Sequence, residues 1–190
     1  MPRLVFEYDP PERFVAGTVG EPGQRTFFLQ ARGSGRVTSV SLEKQQVSVL
    51  AERVEALLDE VVRRSAGEAS VPAVTPVDVE DTAPLEAPIE EEFRVGVMAL
   101  AWDSDDEVVV IEAQAVTESD GEESEDEPPL VEGDEEGPPL LRVRLSGAAA
   151  RSFVKRAGAV VAAGRPPCPF CGNPLDAGGH VCPRANGYRR

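Results

Sequence analysis

Two short runs, TFFLQA at 26–31 and VVVIEA at 108–113, have the length and the aromatic and β-branched content of buried strands. After each comes an alternating segment, with Val40 and Leu42 in one and Val143 and Leu145 in the other. A period of two places each apolar pair on one face. The period then changes. Val47, Leu50, Val54, Leu57 and Leu58 carry the spacing of a helix face, and Ala150, Phe153, Ala157, Val160 and Val161 repeat it without a gap. Both series also begin alike, with Phe14-Val15-Ala16-Gly17 in the first and Phe93-Arg94-Val95-Gly96 in the second.

Each series therefore reads strand, strand, strand, helix. In the first, Gly20-Glu21-Pro22-Gly23 and Gly33-Ser34-Gly35 supply the turns. In the second, Trp102–Asp106 is the first turn and an acidic stretch takes the place of the second. Ser146 is suited to cap the second helix and Gly164 to stop it. The fold expected is α+β and internally duplicated: a first unit over 1–64, a second over 92–164, and about six antiparallel strands in one sheet. Each helix would cover one face of that sheet, with a pseudo-twofold relating the units. Residues 65–91, rich in Pro, Ala and acids, read as an extended mobile linker, and 117–139 as a solvated acidic loop.

Charge sharpens this division. The chain of 190 residues has a formal net charge of -15, yet from Arg151 to Arg190 seven bases face one acid, Asp176. Residues 118–136 hold eleven acids and no base, so an anionic loop and a cationic end share one molecule. No apolar run approaches the ~20 residues of a membrane span, and the opening MPRLVFEYDPPER lacks a signal-peptide core, so a cytoplasmic protein is expected.

Several motifs resolve to plain structure. GTVGEPGQR lacks the lysine and serine of a phosphate loop and precedes a strand, which makes it a hairpin turn. Asp103, Asp105, Asp106 and Glu107 miss the calcium-loop pattern, because Val108 stands where its glycine belongs. With one histidine in the chain, His180, no Ser/His or Cys/His nucleophilic arrangement is expected.

The exception is the C-terminus. Cys168, Cys171, His180 and Cys182 include all three cysteines and the only histidine, in two short pairs separated by a Gly/Pro-containing loop. Such pairs chelate one ion from two tight turns, and three thiolates with one imidazole close a tetrahedral zinc site to water and substrate. The expected cofactor is structural Zn2+, held by a knuckle within 165–190. That segment is too small for a core of its own, so metal binding would supply much of its folding free energy.

The segments AGRPPCPFCGNPLDAGGHVCPRANGYRR, LQARG, LEKQQV and FRVGVMALAWD, set in the duplicated layout, resemble an actinobacterial signature family, a domain of unknown function. The resemblance spans nearly all of the chain apart from 65–91 and the acidic loop. It implies no enzymatic activity and carries over no catalytic residue. One member, ParJ, is regarded as a partner of the ParA chromosome-segregation ATPase, so the resemblance implies a regulatory or adaptor role. The leading expectation is a non-enzymatic, zinc-stabilised adaptor that meets a protein partner, a ParA-type ATPase among the candidates, through Arg184, Tyr188, Arg189 and Arg190. The alternative is a nucleic-acid-binding zinc module autoinhibited by its acidic loop, which would compete with phosphates for the same arginines. A third possibility, an enzyme for a small phosphorylated metabolite, would need a pocket between the two helical units.

Overall fold

The computed structural model describes residues 2–117, 136–165, 167–175 and 179–184. Its elements are β1 (Val5–Tyr8), β2 (Arg13–Val19), β3 (Thr26–Gly33), β4 (Arg36–Leu42), α1 (Lys44–Arg64), β5 (Glu91–Asp103), β6 (Val108–Ala115), β7 (Leu140–Ser146) and α2 (Gly147–Ala162). A turn of 3-10 helix lies at Val77–Val79. The protein is α+β, as the patterning predicts.

The sheet itself departs from expectation. It has seven strands in the order β1-β7-β6-β5-β4-β3-β2 and is mixed, with β4–β5 and β1–β7 parallel. The physical reason is the return made by α1 and the segment after it: a long crossover brings the chain back to the end of the sheet where β4 began, so β5 must run beside it in the same direction. β2 and β5 consequently point the same way, and both helices pack into one core cluster on one face. The strands of the two strand-strand-strand-helix segments thus follow one another along the sheet in the same alternation of directions.

Register shows how far the two segments correspond. Leu29 faces Val40 and Phe27 faces Leu42 across β3–β4; Ile111 faces Val143 and Val109 faces Leu145 across β6–β7. The first strands do not correspond as their sequences suggest. Ala16 pairs with Leu29, whereas Ile111 pairs with Leu100, and Val95 lies at an irregularity opposite Ala115. Gln46, near the start of α1, donates to the carbonyls of Val95 and Gly96 at 3.3 and 3.1 Å, which ties the helix to this irregular stretch.

The turns follow their sequences. Ser34 and Gly35 both have positive φ in the two-residue β3–β4 hairpin. Asp103 accepts from the amides of Asp105 and Asp106 at 3.0 and 3.2 Å, and Arg144 pairs with Asp103, Asp106 and Asp9. The acidic turn is therefore a counter-charge for a strand arginine, and Arg144 holds the Asp103 carboxyl below the usual carboxylate range. Ser146 caps α2 by accepting from the Ala149 amide at 3.2 Å.

β1 was not legible in the patterning, and it reshapes the sheet. It pairs with β7 at one edge while β2 forms the other, yet only residues 9–12 separate them. Seven flat strands would hold their edges ~29 Å apart at ~4.8 Å per spacing. The link from Tyr8 to Arg13 reaches at most ~18 Å. The sheet must curl, and contacts across its ends show that it does. Tyr8 Oη in β1 lies 2.7 Å from Thr38 Oγ1 in β4, and Arg36 Nη2 of β4 donates to the Glu7 carbonyl of β1 at 3.4 Å. α2 packs along β2, with the Phe153 ring stacked on Phe14 at 4.9 Å.

Residues 65–91, expected as a mobile linker, form a fixed strap. It passes α2, where Arg151 Nε donates to the Pro72 carbonyl at 3.1 Å and Ser152 Oγ to that of Val79. It then turns over β2, where Asp81 bridges two arginines. Arg13 gives it Nε at 2.6 Å and Nη2 at 2.9 Å, and Arg156 gives Nη1 at 2.9 Å. Finally it crosses the sheet face opposite the helices, where Glu86 and Gln30 exchange hydrogen bonds of 2.8 and 3.1 Å. The composition of 65–91 reads as a linker because the arginines that bind its acids lie far away in sequence.

Leu85 of the strap sits on Gly17, where a Cβ would lie 2.6 Å from the leucine side chain. Gly17→Ala is expected to lower stability by about 1–3 kcal/mol, the usual cost of forcing a methyl into packed space. Leu85→Ala on the same background should recover most of that loss. Urea midpoints of the two single variants and the double variant measure the coupling.

Candidate metal centre

Past α2, the chain leaves the core beside the β2–β3 turn, where a Cβ at Gly23 would lie 3.6 Å from the Arg165 side chain. The knuckle that follows is built from backbone bonds. Pro167 and Pro174 form an antiparallel bridge, the Cys168 amide donates to the Asn173 carbonyl at 2.8 Å, and the Gly172 amide donates to the Cys168 carbonyl at 2.8 Å. Gly172 has φ 76°, the left-handed turn that reverses the chain after Cys171 and that glycine adopts without strain. The Phe170 amide points at Cys168 Sγ at 3.5 Å.

Within this frame the four predicted ligands come together. Their ligand atoms all lie within 4.8 Å of one another, with Cys168 and Cys182 buried and Cys171 and His180 half-buried. Cys168 Sγ is 3.9 Å from Cys182 Sγ, and Cys171 Sγ is 3.1 Å from His180 Nε2. A tetrahedron of ~2.3 Å metal–sulfur bonds has S···S edges of ~3.8 Å, so the spacing suits one ion at the centre. None of the three cysteines is in a disulfide. His180 aims Nε2 at the cluster and leaves Nδ1 buried with no partner among the described residues. The donor set thus fits a metal ion held by four protein ligands.

The thiols are unequal. Burial works to raise Cys168, but the Cys171 and Phe170 amides and the neighbouring sulfurs bring it below its ordinary value. The Asn173 amide works to lower Cys171, yet burial and the sulfurs of Cys182 and Cys168 raise it overall. Amides from the turn thus favour the thiolate form at Cys168 more than at Cys171.

Of the residues expected to meet a partner, Arg184 is on the knuckle: its Nη1 donates to the Phe170 carbonyl at 3.1 Å. Tyr188, Arg189 and Arg190 lie outside the described residues. Patterning alone did not single out Phe170 and Val181, which flank the ligands and are 63% and 81% exposed. Their signal is their position, since an apolar residue between two ligands of a closed metal turn cannot also face the metal.

Fold and site together define an α+β protein with a curled mixed sheet, two helices on one face and a C-terminal Cys3His cluster able to hold a metal ion. The chain belongs to the family described as "Protein of unknown function (DUF3090)", which it matches over residues 6–182, from β1 to the last ligand. No curated protein and no solved structure matches it. Among the described residues no helix is long and apolar enough to cross a membrane.

Proposed function

We propose that this protein is a non-enzymatic adaptor or regulator whose C-terminal knuckle, closed around a structural zinc ion, presents a cationic and apolar edge to a protein partner. The observation that carries the reading is the closed ligand set at Cys168, Cys171, His180 and Cys182, with Phe170 and Val181 exposed beside it and Arg184 bound to the Phe170 carbonyl. Four protein ligands leave no position for substrate, so the metal's work is to hold shape. Free cysteines in such a cluster suit a reducing, cytoplasmic setting. Arg184, with Tyr188, Arg189 and Arg190 after it, forms the proposed contact. The actinobacterial family resemblance supplies a ParA-type ATPase as the first partner to try. The matching registers of β3–β4 and β6–β7 support an origin of the two segments by duplication.

A purified ParA-type ATPase from the same organism, titrated against the full chain, is the test. Binding is expected to fall at least tenfold in Arg184→Glu and to disappear in a Cys168→Ser, Cys171→Ser variant, with the melting of the core unchanged. Undiminished binding by both variants would remove the tail as the interface. A nucleic-acid-binding tail, favoured by the excess of bases after Arg151, would instead show salt-sensitive binding to a DNA duplex that rises when residues 118–136 are deleted.

A further inference from the structure

The third possibility required a cavity between the helical units, and a shallow one lies between Glu55 of α1 and Arg151, Val154 and Lys155 of α2, under Val74 and Thr75. A more apolar one of about 340 Å³ opens between α2 and the strap. Ala159, Val160 and Ala163 supply its apolar wall, and Thr82 and Arg156 stand on its rim. Two other rim groups are already engaged: Ser152 Oγ bonds the Val79 carbonyl, and Lys155 is paired with Glu80.

Arg156 is different. Its Nε donates to the Ala16 carbonyl at 2.7 Å, and its Nη1 to the Asp81 carbonyl and carboxylate at 2.9 Å each. Its Nη2 has no hydrogen-bond partner among the described residues, although Arg156 lines the cavity. Asp81 is the carboxylate for both Arg13 and Arg156, whose side chains are each 11% exposed. The trio therefore carries one positive charge more than it neutralises, in a place with little water. Burial pushes Arg156 below its ordinary value, and Asp81 only partly opposes this.

We propose that this cavity binds a small amphipathic monoanion, with its carboxylate on Arg156 and Thr82 and its hydrocarbon body against Ala159, Val160 and Ala163. With Nε and Nη1 engaged, Nη2 is the donor left for a carboxylate oxygen, the Thr82 hydroxyl can serve the other oxygen, and one surplus charge matches one negative charge. Glu80, at the same rim, disfavours a dianion such as a phosphate monoester. The volume is near the lower end of the ~300–1,000 Å³ typical of ligand pockets, which suits a chain of about six to ten carbons. The site is distinct from the metal knuckle, and the inference stands apart from the adaptor reading.

Octanoate, titrated calorimetrically into the full chain at low salt, is the probe, with acetate, 1-octanol and inorganic phosphate as the other arms. Octanoate is expected to bind one to one, at least tenfold more tightly than any of the three. Ala159→Phe, at an exposed helix position where the fold tolerates change, should fill the cavity and weaken octanoate at least tenfold. Arg156→Gln, checked for folding by circular dichroism, should bring octanoate down to the level of 1-octanol. Octanoate binding no better than acetate or 1-octanol, phosphate binding tighter than octanoate, or unchanged affinity in Ala159→Phe would each overturn the proposal.

Discussion

Cys168→Ser should abolish metal binding by the cluster and unfold the C-terminal knuckle while the sheet and both helices keep their stability. Cys168 is buried within the cluster, and its main chain also bonds Asn173 and Gly172, so it joins the ligand cluster to the turn that carries Cys171. Nothing else in the knuckle can replace that join. Among the described residues its regular structure is one isolated bridge, and Phe170 and Val181 face outward, away from any core. For structural zinc in small peptides, apparent binding free energies of ~10–16 kcal/mol at neutral pH are also folding free energies. Metal content should fall from about one ion per chain to near zero in the variant, with backbone amide protection lost over 167–184 and kept in β3, β6 and α2. A chelator should do the same to the unaltered protein. Acidification should also release the ion, since protons compete for the thiolates and the imidazole. If the sheet lost protection together with the knuckle, the metal would be a support of the whole domain.

The second large effect is expected at Asp81. Asp81→Ala removes the carboxylate shared by Arg13 and Arg156 and leaves two largely buried guanidiniums facing each other. Breaking a pair of this kind costs about 2–4 kcal/mol, more than the pair itself contributes, because the remaining charges lose their partner without regaining water. The Arg13 hydrogen bond holds the Asp81 carboxyl below the usual range, and burial opposes it without winning. A carboxyl with a lower value in the folded state stabilises fully above its unfolded value, ~3.9, and this contribution is lost as pH falls through the folded value. The stability gap between the parent and Asp81→Asn should therefore stay level from pH 7 to about 5 and close below about 4. Urea denaturation across that range measures it. A gap that closed above pH 6 would assign the effect to another group.

What the chain reveals by itself divides along physical lines. Local periodicity located β3, β6, β7 and both helices, because each buries one face and says so in its own spacing. The ligands were equally plain, since metal chelation needs particular residue types a few positions apart. Long-range relations were not. β1 has four residues, too few for a period, and its place was set by closure of the sheet. The direction of β5 followed from the crossover before it. Asp81 looked like one acid among many in 65–91, and its partners Arg13 and Arg156 stand 68 and 75 residues away. The apparent match of Phe14 with Phe93 failed because β5 is 13 residues long against 7 in β2, so similar starting residues occupy different rungs.

The pairing of β1 with β7 sets a timetable for synthesis. Val5 meets Leu140, 135 residues later in the chain. At ~5–20 residues per second the first strand emerges from the ribosome roughly 7–27 seconds before its partner exists. Phe6 and Tyr8, buried in the finished protein, wait through that interval without their seat. The protein is born with its first strand unplaced, and only a chain translated through β7 can close.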